Sequence, residues 1–343
     1  MKILFGIQGT GNGHISRARI LAKYLKEHAV DVTYLISGRE REKLFDMEVF
    51  GDFMHRKGLT FVTKNGKIDY ISTFLENSLL GFYRDIHALS LSEYDLVITD
   101  FEPVTAWAGK LQGKPVLGIG HQYAFGENTP MAGESMMAKW IMRNFAPATN
   151  AIGLHWHPYS DNVLPPIIDT TLQATDDSNN IVVYLPFENQ QQVSAVLNQL
   201  PQYQFVQYSP ELENGEQGNI SLRKTSYQAF KQDLAGAKAV ICNSGFELIS
   251  ECLHLGKPIL TKPLNGQMEQ HSNALALEQL NYATVIDKIT TTKVGDWLAI
   301  AKQNEAKPLP NVAKQIVEWL LKGDWQQHQQ LGKGLWARET GAQ

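Results

Sequence analysis

The sequence predicts an α/β protein of two doubly wound, Rossmann-like parallel-sheet domains. Short continuous apolar runs (KILFGI, DLVITD, KPVLGIG, IVVYLP, AVICN, PILTKP) alternate along the chain with longer segments of helical period. Continuous apolar runs suit strands covered on both faces, and strand–helix alternation is the connectivity of a parallel sheet. At 343 residues the chain is long enough for two domains with separate cores. The segment VLPPIIDTTLQATDDSNN, with Pro165-Pro166 and a polar cluster, reads as the connector. These signs divide the chain into residues 1–164, residues 165–322 and a tail, 323–343.

Composition narrows the function. The net charge of −4 offers no basic field for nucleic acid. Cys242 and Cys252 lie within one strand and the next helix, and are expected to be buried, reduced thiols, as in cytoplasmic proteins. No apolar run reaches membrane-spanning length, and MKILFGIQG passes straight into a strand pattern rather than a signal peptide.

In chain order, KILFGI feeds a turn with Gly9, Gly11 and Gly13, then a helix with Ile15, Ala18, Ile20, Leu21 and Leu25 on its apolar face. The glycines are spaced G-x-G-x-G, and the second strand, VDVTYLIS, ends at Ser37-Gly38 without an acid. Both features disfavour a dinucleotide fingerprint and NAD. REREKLFDMEVF reads as an amphipathic helix, LTFVT as a strand, KNGK as a turn and ISTFLENSLLGFYRDIHALSL as a helix. DLVITD ends at Asp100 and KPVLGIG just before His121; carboxyl ends of parallel strands face the ligand crevice. Asp100 either caps the next helix or serves the crevice. MAGESMMAKWIMRNFAPA, with Trp140 and Phe145, reads first as core, with an apolar acceptor site or a membrane surface as the alternative. AIGLHW closes the first domain. In the second, QFVQYS and NISLRK are strands, and TSYQAFKQDLAGA is a helix capped by Thr225 or Ser226.

Residues 239–274, AVICNSGFELISECLHLGKPILTKPLNGQMEQHSNA, read as strand, turn, helix, strand, loop, helix. Ser244 and Glu247 have capping-box spacing. Gly245 in the turn exposes backbone N–H groups at a helix N-terminus, which suits a phosphate. Glu251 stands one turn further on, where a carboxylate can accept from a ribose diol. Glu269 and Gln270 open the next helix and can bind sugar hydroxyls. Read alone, the stretch supports an anion site.

This stretch resembles the donor-nucleotide motif of GT-B glycosyltransferases of the UDP-glycosyltransferase superfamily, and is most similar to the peptidoglycan N-acetylglucosaminyltransferases. The resemblance implies two Rossmann-like domains facing a cleft, with a nucleotide sugar, UDP first, held by the second. It places diphosphate recognition on Ser244, Gly245, Phe246 and Glu247, ribose on Glu251, and the donor sugar on Glu269 and Gln270, with Asn243 a further donor-binding candidate. Tyr227 and Phe230 fall where the relatives flank the base, or pack as a helix face. YLPFENQQQ departs from the Gly-rich loop that relatives carry there.

GTGNGH resembles the first glycine loop of the same enzymes, which implies that His14 faces the cleft as general base, with Asp100 able to orient it. Thr10, Gly11, Asn12, Gly13 and His121 become acceptor-side candidates; Thr10 and Asn12 serve either the acceptor or the loop. Phe74, Phe82 and Tyr83 stack on a sugar or, as the plainer reading, pack in the core. The terminal segment, with Trp325 and Trp336, is expected to dock back on the first domain or to be partly disordered.

The expected activity is metal-independent, inverting transfer of a hexose or N-acetylhexosamine from a UDP-sugar to an acceptor hydroxyl. No cofactor is expected beyond that co-substrate, since no Asp-x-Asp-type acidic cluster is present. The expected partner is a saccharide, lipid-linked or small-molecule acceptor, in the cytoplasm and, for a lipid-linked acceptor, with weak peripheral contact at the inner membrane face. A UDP-N-acetylglucosamine 2-epimerase and a catalytically silent nucleotide- or glycan-binding protein on the same scaffold are the rivals.

Overall fold

The computed structural model describes residues 1–60, 63–64, 67–68, 77–133, 136–175, 178–323, 325 and 328–339. Two seven-stranded sheets form the two lobes. The first contains β1 (Lys2–Gln8), β2 (Asp31–Ser37), β3 (Met54–His55), β4 (Leu96–Asp100), β5 (Val116–Gly120), β6 (Asn150–Leu154) and β7 (Val163–Leu164). Its order is β3-β2-β1-β4-β5-β6-β7, and the bridged pairs are parallel. Helix α1 (Asn12–Glu27) follows β1, α2 (Leu79–His87) precedes β4, α3 (Pro103–Gln112) follows β4, and α4 (Met136–Asn144) precedes β6.

The second sheet contains β8 (Ile181–Tyr184), β9 (Phe205–Ser209), β10 (Gly215–Gln217), β11 (Ile220–Lys224), β12 (Ala239–Asn243), β13 (Ile259–Lys262) and β14 (Thr284–Val285). Its order is β10-β11-β9-β8-β12-β13-β14, parallel except for the β10–β11 pair. Its helices are α5 (Gln190–Leu197), α6 (Tyr227–Gly236), α7 (Phe246–His254), α8 (Met268–Gln279) and α9 (Thr291–Ile300). Helices α10 (Val312–Leu321) and α11 (His328–Glu339) end the described chain.

The strand order explains where a ligand belongs. In each sheet the direction of winding reverses once, between β1 and β4 in the first and between β8 and β12 in the second. Connections on either side of such a switch point leave to opposite faces, so a crevice opens at the strands' carboxyl ends. Ile7 lies beside Asp100 at the first switch point, and Tyr184 beside Cys242 at the second. β1 is buried along nearly its whole length and β4 along all of it, as strands covered on both faces must be.

The lobes are in close contact. Trp156 Nε1 donates to Ser250 Oγ at 2.8 Å, and the Trp156 and Phe246 rings lie 5.0 Å apart. α10 packs on α1, and α11 packs on β7, where Trp336 Nε1 donates to the Val163 carbonyl at 2.7 Å.

Several local expectations need correction. REREKLFDMEVF forms two short 3₁₀ turns, Arg41–Lys43 and Glu48–Phe50, not a helix. Asp46 between them is left-handed at φ +52°, and Arg19 takes the Phe45 carbonyl at 2.7 Å. Met136 and Trp140 on α4 are 91% and 63% exposed, so this face is not core, whereas Phe145 stacks on Phe101 at 5.1 Å. Of the three aromatics of the region before β4, Phe82 packs against the core and Tyr83 is exposed; residues 61–62 of LTFVT, 65–66 of KNGK and all of ISTFLE, with Phe74, lie outside the described residues. Neither Thr225 nor Ser226 caps α6 through its side chain; Ser226 holds the N-cap position without a side-chain bond. Cys242 and Cys252 are free and buried; burial pushes the Cys242 thiol up to about 12, and Cys252 is also raised by burial. Among the described residues no helix is long and apolar enough to cross a membrane.

Candidate active site

A cavity of about 510 Å³ lies between the lobes at the two switch points. His14, Phe101, Gln122, Ile141, Met142 and Phe145 line the first-lobe side. Tyr184, Asn243, Gly245, Glu269 and Gln270 line the second.

His14 sits in the first turn of α1, whose N-cap is Gly11 with no side-chain bond. Its Nδ1 lies 2.8 Å from Asp100 Oδ1. Asp100 does not cap α3: Glu102 does, accepting from the backbone N–H of Val104 and Thr105, with Pro103 preset for the first helical position. Asp100 is thus free for Arg17 and His14. Arg17 Nε donates to Oδ2 at 2.9 Å and Nη2 to Oδ1 at 2.6 Å, a bidentate fork. Burial alone would push the Asp100 carboxyl up. The charges of Arg17 and His14 and their hydrogen bonds outweigh it and hold the carboxyl below its usual range.

An ionised carboxylate only accepts, so His14 Nδ1 carries the hydrogen of this bond and Nε2 is the ring nitrogen left for the cavity. Arg17 Nη2 also lies 3.2 Å from Nδ1, but two donors make no bond; its contact is with the acid. The His14 side chain is 14% exposed while Asp100 is 1% exposed, so the imidazole is the member of the pair that reaches the cavity. The chain beyond Asp100 turns sharply: Phe101 takes φ +52°, rare for an aromatic residue, and lines the cavity wall.

Across the cavity, the N-terminus of α7 opens at Gly245, again without a side-chain cap. A Cβ added to Gly245 would meet nothing within 4 Å, so the backbone here is open to an approaching group. The capping box does not form. Ser244 is fully buried with Oγ 2.9 Å from Thr261 Oγ1, and its carbonyl accepts from Asn273 Nδ2 at 3.0 Å. Glu247 points to Arg17 instead. Phe246 is 2% exposed and stacks on His121, with centroids 3.9 Å apart and planes at 6°.

His121 is therefore no crevice residue. It is fully buried, with Nδ1 bonded to the Leu154 carbonyl at 2.8 Å and Nε2 to Asn273 Oδ1 at 2.7 Å. Burial pushes its pKa down. The strand-end rule brings it to the crevice, but the lobe interface closes over it.

Thr10 and Asn12 brace the glycine loop. Thr10 Oγ1 accepts from Gln8 Nε2 at 2.8 Å and lies 3.1 Å from Thr60 Oγ1. Asn12 Nδ2 donates to Tyr184 Oη of the other lobe at 2.9 Å, and Asn12 Oδ1 accepts from Arg39 Nη1 at 2.8 Å. Gly11 and Gly13 line the cavity beside them. Glu269 Oε2 accepts from Gln122 Nε2 at 2.9 Å, and Gln270 Oε1 accepts from the Leu264 N–H at 2.8 Å. Gln122 Oε1 and Asn243 Oδ1 are buried in the cavity wall without a donor among the described residues.

A smaller cavity of about 100 Å³ shares Asn12, Gly13, Tyr184, Glu247 and Leu248 with the first and runs to Tyr227, Phe230 and Glu251. Tyr227 lies between two cations, Arg19 at 4.8 Å and Lys231 at 5.3 Å from its ring. Phe230 packs edge-on against Tyr184 and Tyr208. Glu251 is not a free carboxylate: Lys231 Nζ holds its Oε1.

Arg17, Lys231, Arg19, Gln122 and Phe101 were not singled out by the sequence. Arg17 carried a signal, three residues beyond His14 and so on the same helix face. Lys231 and Glu251 lie on different helices and gave none. Among the described residues no three His, Cys, Asp or Glu side chains stand together as a metal-holding group.

Residues 1–301 match a family described as Glycosyl transferase family 1. Among solved structures, the glycotransferase of kitacinnamycin is similar at a TM-score of 0.59 and 16% identity, over 98% of each chain. Acinetobacter baumannii MurG is similar at 0.55 and 15%, over 94% of this chain and 100% of that one. The spinosyn rhamnosyltransferase SpnG is similar at 0.54 and 13%, over 87% and 92%, in a structure that holds spinosyn aglycone; another of its structures holds thymidine diphosphate. No curated protein matches the chain.

Proposed function

Because the chain belongs to glycosyl transferase family 1 and is a GT-B glycosyltransferase, we propose that it moves a hexose or N-acetylhexosamine from a nucleotide sugar, UDP-linked first, to an acceptor hydroxyl with inversion. In this reading residues 1–164 present the acceptor, residues 165–322 hold the donor, and residues 323–343 form the tail. The observation that carries it is the pairing across one cavity of an Asp100-bound His14 with the uncapped, unobstructed N-terminus of α7.

His14 Nε2 takes the acceptor proton while the hydroxyl oxygen attacks the anomeric carbon and the bond to the diphosphate breaks. The backbone N–H groups and helix dipole at Gly245 lower the energy of the departing diphosphate, where negative charge grows. Asp100 steadies the imidazolium that forms. Gln122 Oε1 and Asn243 Oδ1, acceptors in the cavity wall without partners among the described residues, suit hydroxyl donors such as those of a sugar. Tyr227, Phe230 and Glu251 suit the base and ribose in the smaller cavity.

The acceptor is one with an apolar body, since Phe101, Ile141, Met142 and Phe145 border the cavity beside His14. A cytoplasmic location, with weak contact at the membrane's inner face for a lipid-linked acceptor, belongs to the proposal. No metal is called for, because the helix terminus supplies the positive potential.

A thermal-shift series with UDP, dTDP, GDP, CMP, ADP and NAD, in excess EDTA, tests the donor. A ligand that binds only the folded chain raises its stability. A selective rise with UDP, followed by UDP-sugar consumption undiminished by EDTA, is expected. A rise with dTDP alone would replace UDP as donor, and a rise with NAD alone would overturn the reading. Donor incubated without acceptor separates transfer from 2-epimerisation, which would yield the epimeric UDP-sugar.

A further inference from the structure

The inference rests on the general-base reading of His14 and concerns what holds that base in place. Arg17 heads the largest fully buried side chains among the described residues. It stands on α1 one turn beyond His14 and forks onto Asp100 of β4 through Nε and Nη2. Its third nitrogen, Nη1, meets Glu247 Oε1 on α7 of the other lobe. One guanidinium thus joins the acid that orients the base to the first turn of the helix that faces the donor.

A second observation concerns the other oxygen of the same carboxylate. A Cβ on Gly13 would lie 2.3 Å from Glu247 Oε2 and 3.0 Å from its Cδ. The glycine beside His14 therefore leaves the space into which the Glu247 carboxylate docks. Gly11, two residues earlier, meets only His14 Cδ2 at 3.8 Å.

We propose that Glu247 and Arg17 form a latch between the lobes, with Arg17 the positioning residue that carries the docking of Glu247 to the His14–Asp100 pair.

The charge count gives the latch its chemical sense. The groups that meet at His14 are Arg17 from its own helix, Asp100 from β4 and, through Arg17, Glu247 from α7; Glu269 lies on α8 across the cavity. With Glu247 docked, one cation faces two carboxylates, and the set becomes neutral when His14 takes a proton. With Glu247 withdrawn, Arg17 and Asp100 already balance, and protonating His14 leaves a buried excess of positive charge, which is costly. Arg17 would also turn its whole charge on Asp100 and draw it from the imidazole. The base is complete only when the lobes are docked.

The test uses the full chain labelled with 15N-histidine, reading the His14 ring signals and the Nδ1–H proton at fixed pH in wild type, G13A, E247A and G13A/E247A. Arg17 is left intact, because removing so buried a cation can unfold the protein. The latch predicts that G13A and E247A each displace or abolish the His14 Nδ1–H signal, and that G13A adds nothing in the E247A background. An unmoved signal in either single variant overturns it. So does an equal displacement by G13A in both backgrounds, which would mean that the methyl acts on the loop itself. Calorimetry with UDP on the same samples keeps the two readings apart: wild type that fails to bind UDP counts against the nucleotide-sugar reading, while the histidine signals still judge the latch.

Discussion

The glycine loop after β1 and the Ser-Gly turn after β12 occupy the same place in their two lobes. Each stands beside the switch point of its sheet, and each leads into a helix whose N-cap glycine offers no side-chain bond. Yet they are finished differently. The first-lobe turn is crowded with side chains: His14, Asp100 and Arg17 bond to one another, and Glu247 fills the space that Gly13 leaves. The second-lobe turn is bare, with nothing near a Cβ at Gly245 and Ser244 turned inward. In the proposed reading, one helix start supplies proton chemistry through side chains and the other supplies potential and N–H groups through the backbone alone, so that similar local architecture would serve opposite halves of one reaction.

If that division holds, the largest effect belongs to His14. His14→Ala is expected to lower turnover about 100- to 10,000-fold, the range of general-base loss, with UDP affinity retained. Wild-type turnover in the variant would break the comparison at its first term. Glu251→Ala, on the donor side, is expected to weaken UDP binding by about 1.5–3 kcal/mol, the scale of a hydrogen bond to a charged group, with little change in the chemical step. Calorimetric titration checks it, and an unaltered Kd in a folded variant would remove Glu251 from ribose recognition. The smallest structural effect belongs to Gly245→Ala. The backbone at φ −77° accepts alanine and no neighbour obstructs it, so stability should stay within about 0.5 kcal/mol while UDP affinity falls. A denaturant series beside a UDP titration would show whether the bare turn is bare for the ligand's sake; lost stability with intact affinity would say that it is not.

Much of the frame was legible. Continuous apolar runs mark buried parallel strands because side-chain period and strand length are local properties, and the runs ending at Gln8, Asp100 and Asn243 do form the strands that border the cavity. The errors share one cause. Ser244 and Glu247 have the spacing of a capping box, but Thr261 and Arg17 reach them from elsewhere and take both side chains. His121 ends a strand as a crevice residue would, but Phe246 and Asn273 of the other lobe cover it. Asp100 has the sequence position of a cap as well as of a site residue, and Glu102, two residues on, is the cap. For Ser244, Glu247 and His121 the local rule described a competition whose stronger competitor lies elsewhere in the sequence.

The sequence by itself determined the alternation of strand and helix, the two glycine turns, and the placement of Asp100 at a strand end and of His14 just beyond one. These follow from hydrophobic period and backbone chemistry, which need only near neighbours. Only the tertiary structure decided which charge meets which. Arg17 is shared between Asp100 of its own lobe and Glu247 of the other, and Lys231 holds Glu251 across twenty residues. A buried ion chooses its partner by desolvation and distance in space, and docking the two lobes is what brings those partners within reach.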